Sequence, residues 1–190
     1  MENAAKRERT RVSLKNALIE LCDEKPYYDI TIWDICNRSG TYRSTFYRYY
    51  ETKDQMLREI EHDYLKKTQT LTSSLRDFSA DASDKKMAEY LAELTADMEY
   101  HMENEKLCRF LLSPAGDIYF YQKMKESIAT AARNYVGKNG DFHGDDVEYR
   151  INFFAAGFID TIYTWLQQKN CQPEQIAQFL MKMLKMSTYS

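Results

Sequence analysis

The sequence predicts an all-α protein: a small N-terminal three-helix unit followed by a larger helical body. Three observations carry that expectation. Chain breakers are scarce, with 6 Gly and 3 Pro in 190 residues. The good helix formers Leu, Met, Glu, Lys and Gln are plentiful between them. Apolar residues also recur at helical spacing, as in Leu14, Leu18, Leu21 and Cys22.

The elements follow in order. Helix one runs from about Ala5 to Asp23 and is ended by Lys25-Pro26. Thr31 is an N-cap, and Asp34 three residues on completes an acidic variant of the capping box. Helix two turns Ile32, Ile35 and Cys36 inward and stops near Ser39-Gly40, where glycine takes the positive φ of a sharp turn. Thr41 caps helix three, which runs to about Tyr49 on an inner face of Phe46 and Tyr50. Thr52 caps helix four, about residues 52–71, which links the two parts of the chain. Thr72 to Asp84, rich in Ser and Asp, reads as a loop.

Beyond it, Lys85 to Asn104 is an amphipathic helix, and Glu105 to Leu112 a short one closed by Ser113-Pro114-Ala115-Gly116. Asp117 to Val136 is a seventh helix. Gly137 to Asp141 then reads as a loop, and helix eight spans about Asp145 to Gln168. Pro173 sits in the first turn of a ninth helix with the stripe Ile176, Phe179, Leu180, Met183, Leu184.

Composition narrows the function classes. At 44% hydrophobic and 29% charged, the chain fits a soluble globular protein. No apolar run approaches the roughly 18–20 residues of a membrane span. Charges without an apolar region at the start speak against a secretory signal, so a cytoplasmic, non-membrane protein is expected. Cys22, Cys36, Cys108 and Cys171 form no CxxC pair, and no metal, cofactor or catalytic residue is expected. The net charge of -3 is unevenly shared: residues 1–55 hold 10 Lys and Arg against 9 Asp and Glu, residues 56–190 hold 16 against 20. Lys6, Arg7, Arg9 and Arg11 cluster at the start, and an acidic body would confine DNA binding to that end.

Thr31 to Leu57 carries the functional reading. From Thr41 to Tyr50 there is no acidic residue, and Arg43, Ser44, Tyr47 and Arg48 lie mostly away from Phe46. In a helix-turn-helix the second helix enters the major groove while preceding elements grip phosphates. Arg43 suits guanine O6 and N7. Ser44 and Thr45 are short enough for close approach, and Tyr47 offers a hydroxyl to a phosphate and a ring edge to a thymine methyl. The amide end beside Thr31, and Lys53, would clamp phosphates on either side.

From Gly40 the chain reads Gly-Thr-Tyr-Arg-Ser-Thr-Phe-Tyr-Arg-Tyr-Tyr-Glu-Thr-Lys-Asp-Gln-Met-Leu, preceded by Thr31-Ile-Trp-Asp-Ile35. This segment resembles the signature of the tetracycline-repressor (TetR) family of bacterial regulators. The resemblance is strong over roughly residues 8–60. Tyr42 stands where a small residue is usual, and Tyr50 where Phe is. The resemblance implies DNA contacts from Thr31, Tyr42, Arg43, Ser44, Thr45, Tyr47, Tyr49 and Lys53, with Phe46 and Ile35 as core. It implies a DNA-binding domain over residues 1–55 and a regulatory and dimerisation domain over 56–190.

Helix eight is apolar around much of its circumference, which asks for cover on all sides. Together with the resemblance this predicts a homodimer through Phe154, Phe158, Ile162, Trp165, Phe179 and Met183. The resemblance also implies a small-molecule effector among the middle helices, near Met98, Met102, Phe110 and Tyr121. His101 and His143 are candidate ligands or sensors, against an ordinary structural role. The expected function is a homodimeric repressor that binds a palindromic operator in double-stranded DNA and is released by the effector. An activator or co-regulator under a protein partner, and a helical interaction module without specific DNA binding, are the alternatives. An enzyme is disfavoured: there is no Gly-rich phosphate loop, no His-Glu-x-x-His, and no nucleophile-base pair legible in the sequence.

Overall fold

The computed structural model describes residues 2–73, 78–79, 82–113, 117–139 and 145–188. Its helices are α1 (Glu2–Glu24), α2 (Ile32–Ser39), α3 (Arg43–Phe46), α4 (Lys53–Leu71), α5 (Asp84–Glu103), α6 (Glu105–Leu112), α7 (Ile118–Asn139), α8 (Val147–Gln168) and α9 (Pro173–Thr188), with a 3-10 turn at Tyr27–Asp29. No strand occurs among the described residues. The all-α expectation holds.

The caps explain where the helices begin. The Thr31 hydroxyl accepts the Asp34 amide at 3.2 Å, while the Asp34 carboxylate accepts the Thr31 amide and hydroxyl, both at 2.7 Å. This reciprocal box satisfies donors that the first turn of α2 cannot. Gly40 ends α2 in the left-handed region, at φ 65°. Thr52 accepts the Gln55 amide and starts α4.

Three element expectations need correction. Thr41 does not cap α3, because its hydroxyl is 2.8 Å from that of Ser39. Tyr42 takes the cap position, without a side-chain cap bond. The helix is also a single turn, not a run to Tyr49: the Arg48 and Tyr49 amides bond three residues back, tightening the chain into turns. At the other end, α7 continues through Gly137 to Asn139, where a loop was expected. α7 packs along α8 around the buried Ala129, Ile151 and Ala155. That packing carries the helix past a glycine whose own preference costs only about 1 kcal/mol. Gly140 and Asp141, residues 74–77 and 80–81 of the expected first loop, and Pro114 to Gly116 lie outside the described residues.

α1 packs on α2, α3 folds back on α2, and α1 also touches α4 and α6. Phe46, Ile35, Leu14 and Leu18 fill the centre of this head. The same apolar cluster continues along α4 through Met56, Ile60 and Tyr64 into Leu94, Met98, Leu111 and Ile159 of the body. α5 lies along α9, and α8 is covered by α6, α7 and α9. Acid–base pairs add to the α1–α4 seam: Arg11 and Lys15 meet Glu59, and Lys15 also meets Asp63 at 2.6 Å.

Phe46 is fully buried at the base of the one-turn α3. Phe46→Ala should destabilise the protein by about 3–5 kcal/mol, read as a lower urea midpoint with an unchanged slope.

Candidate nucleic-acid interface

α3 is anchored from beneath and open above. Phe46 packs against the rings of Tyr47 and Tyr50, at 5.6 and 5.8 Å between centroids. Tyr42, 81% exposed, stands beside exposed Arg43, Ser44 and Tyr47. The Arg43 guanidinium donates to the Tyr47 hydroxyl at 3.5 Å, holding two groups of this face together. The structure thus gathers Tyr42, Arg43, Ser44 and Tyr47 on one polar, acid-free surface. Thr31 is exposed at the amide end of α2. Trp33, 62% exposed in the first turn of α2, was not singled out in the sequence.

Other expected contacts are placed differently. Lys53 is committed inside the protein: its ammonium donates to the carbonyls of Tyr27 and Ile30, both at 2.7 Å, and of Tyr28 at 3.3 Å. It also lies 4.4 Å from the centre of the Tyr27 ring. Within this short turn only the Tyr27 carbonyl receives a backbone amide, that of Ile30 at 3.1 Å, which leaves those of Tyr28 and Ile30 to the lysine. Lys53 is therefore a brace for the segment before α2 instead of an open phosphate clamp. Thr45 is half-buried and its hydroxyl accepts from Arg48 at 3.2 Å. Tyr49 is half-buried against the core. Of the N-terminal cations, Lys6, Arg7 and Arg9 are exposed, whereas Arg11 is tied to Glu8 and Glu59.

The body departs from the sequence reading in the same way. Ile162 and Trp165 are buried within one chain, and the Trp165 indole donates to the Cys171 carbonyl at 2.9 Å. Intramolecular cover from α6, α7 and α9 removes both from any exterior surface. Phe154 and Phe158 are partly exposed with rings 5.8 Å apart, Met183 is partly exposed, and Phe179 is exposed. Tyr149 and Phe153, not among the residues expected at the interface, are the most exposed aromatic side chains of α8, at 78% and 83%. A tally of apolar residues could not say which side of α8 its own chain would cover.

Met98 is fully buried and Tyr121 half-buried, whereas Met102, one turn beyond Met98 near the end of α5, is 45% exposed. Phe110 lies at the seam between head and body, its ring 6.1 Å from that of Tyr27. His101 is wholly buried, and His143 lies outside the described residues. Among the described residues no group of three or more His, Cys, Asp or Glu is placed to hold a metal, and no helix is long and apolar enough to cross a membrane.

Comparison with known proteins matches both parts of the chain. Residues 16–60 match the model for bacterial regulatory proteins of the tetR family, and residues 85–186 that for a transcriptional regulator C-terminal region. An uncharacterized HTH-type transcriptional regulator, YxbF of Bacillus subtilis, is 26% identical over 190 residues, covering 95% of this chain. The chain spans 46% of that relative's length. Among solved structures, a TetR-family regulator from Syntrophomonas wolfei superposes with a TM-score of 0.68 at 22% identity, over 95% of each chain. The regulator FadR from Bacillus subtilis, in complex with stearoyl-CoA, gives 0.65 at 14% identity, over 93% of this chain and 98% of its own.

Two predictions follow from the geometry. Lys53→Met, which strands the turn carbonyls, should cost roughly 1–3 kcal/mol in a denaturant titration. The Asp34 carboxyl is held down to about 2 by the Thr31 hydroxyl and amide and by Lys25, against an ordinary 3.8. A depressed folded-state value stabilises above the ordinary value, and that contribution disappears as the pH falls through about 2. Asp34→Asn should therefore lower the melting temperature at neutral pH, and the gap to the parent should close near pH 2.

Proposed function

The chain belongs to the TetR family of DNA-binding bacterial transcriptional regulators, and from that premise we propose that it acts as a homodimeric repressor released by a small effector. The observation that carries the DNA-reading part is the surface of Tyr42, Arg43, Ser44 and Tyr47, polar above and locked below by Phe46. Arg43 reads a guanine edge, Tyr42 and Tyr47 rest on the backbone, and the amide end of α2 at Thr31 meets a phosphate. Exposed Lys6, Arg7 and Arg9 add sequence-independent attraction. By function the chain divides into a head, residues 1–55, and a body, residues 56–190, with α4 as the link. A cytoplasmic location fits this activity.

For the dimer, the supporting feature is the aromatic exterior of α8: Tyr149, Phe153, Phe154 and Phe158, with Phe179 and Met183 on α9. A second copy covers this surface and sets two heads side by side, giving a palindromic site with half-sites about one DNA turn apart. For the effector, the supporting features are the polarizable and aromatic side chains in the body, Met98 and Tyr121 among them. The FadR structure with stearoyl-CoA adds that a fold of this kind accommodates a small molecule. Release from DNA, and so repression, is the sign this reading assigns.

Selection from a random duplex pool should enrich a palindrome, and an unenriched pool overturns the regulator reading at this site. On the selected duplex, Arg43→Ala should weaken binding roughly ten- to a hundredfold and relax preference at one base pair. Equal weakening on all duplexes would make Arg43 a phosphate contact instead. Sedimentation at micromolar concentration should give a dimer, and Phe153→Glu a monomer. A monomeric parent protein would overturn the dimer.

A further inference from the structure

The body contains a charged assembly that the DNA-reading account does not use. His101 on α5 is wholly buried, as are Asp97 one turn before it and Tyr64 on α4. The imidazole Nδ1 contacts the Tyr64 hydroxyl, and Nε2 lies 3.4 Å from Asp97 Oδ2. Cys108 on α6 places its sulfur 4.0 Å from Nδ1. Three helices therefore meet at one ring. Nε2 makes no hydrogen bond, so its contact with Asp97 is an ion pair.

The protonation pattern follows from the surroundings. Burial alone would strip the imidazole of its proton, but the Asp97 charge outweighs it and lifts His101 to about 10. As imidazolium, His101 donates from Nδ1 to the Tyr64 oxygen and faces Asp97 with Nε2. The groups facing His101 are Asp97 and Tyr100 on its own helix, Tyr64 on α4 and Cys108 on α6. Phe120 on α7 flanks Tyr64 at 6.0 Å, and α9 brings buried Ile176, Ala177 and Leu180 toward α5. A buried ion pair is seldom the most stable filling for such a space.

The position of Tyr64 gives the assembly its consequence. α4 begins at Lys53, which braces the turn before α2, and reaches Tyr64 three turns later, roughly 16 Å along one rigid helix. α6 runs parallel to this connection in function: Cys108 touches His101, and Phe110 touches Tyr27, the residue Lys53 holds. We propose that Tyr64, His101 and Asp97 form a charged latch that fixes α4 and α6 against the body and so sets the position of the head. Asp97 is the positioning residue: it keeps the ring charged and aimed at Tyr64. The regulatory meaning rests on the DNA-reading function proposed above, while the mechanical claim is tested without DNA.

The test uses the full-length protein, ring-labelled histidine and amide hydrogen exchange. The chain has three histidines, so their resonances can be separated. Between about pH 5 and 8.5 the parent His101 should stay charged and not titrate. Asp97→Asn should bring its titration into that range. Protection of α4 around Tyr64, and of Tyr27 to Ile30, should then fall together on the order of tenfold above the new midpoint and recover below it. Tyr64→Phe, nearly the same shape, should lower the same protection at every pH while His101 remains charged; it keeps the test decisive if Asp97→Asn does not fold. Exchange in α8 and α9 should be unchanged in both variants. An ordinary titration of His101 in the parent overturns the proposal. So does protection lost evenly over all helices, or Tyr64→Phe leaving Tyr27 to Ile30 as protected as before. Failure of the DNA reading would show separately, as an unenriched duplex selection.

Discussion

The grip of the Lys53 ammonium on the carbonyls of Tyr27, Tyr28 and Ile30 is the contact on which the arrangement of the head depends. Those carbonyls lie in a short turn with no ladder of amides to donate to them, apart from the Ile30 amide on Tyr27, and an ammonium has three donors to give. The bond fixes where the chain re-enters the head, which places Thr31 to cap α2, which aims Gly40 and then α3. Tyr27 joins the same arrangement twice more, donating to Asp54 at 2.5 Å and resting on Phe110 of α6. Lys53 and Tyr27 together thus tie the turn before α2, the first turn of α4 and the body into a single joint.

Around that joint, head and body share one apolar core. A division at about residue 55 describes tasks more than packing. α4 belongs to both: its first half holds Arg11 and Lys15 of α1 through Glu59, and its buried Glu61 meets Lys123 of α7 at 2.6 Å. Burial raises the Glu61 carboxyl even beside Lys123. Helices joined by charge as well as by apolar contact keep a defined register, because a misplaced charge costs more than a misplaced methyl group.

What the sequence made legible was local. The Thr31–Asp34 box, the glycine stop at Gly40, the Thr52 cap and Pro173 in the first turn of α9 each involve residues within four positions, so spacing alone carries them. What it hid was tertiary. Lys53 looks the same in sequence whether it faces phosphate or a carbonyl cluster some 25 residues away. His101 gains its meaning from Tyr64, 37 positions earlier. Ile162 and Trp165 looked like interface because periodicity counts apolar residues without saying which neighbour covers them. The length of α3 was overread because Phe46 and Tyr50 keep helical spacing while the chain between them is already turning.

That single-turn α3 has a further consequence. Four residues cannot sustain a helix by their own hydrogen bonds, so its shape is imposed by Phe46 below and by the turns on either side. The outward side chains of Tyr42, Arg43 and Ser44 contribute almost nothing to holding it. Tyr42, Arg43 and Ser44 are therefore free to vary without loss of the fold, while Tyr47 also packs on the Phe46 ring. If the proposed reading of DNA by this surface holds, a lineage carrying this scaffold can exchange one target sequence for another by point substitution, with folding left untouched while recognition drifts.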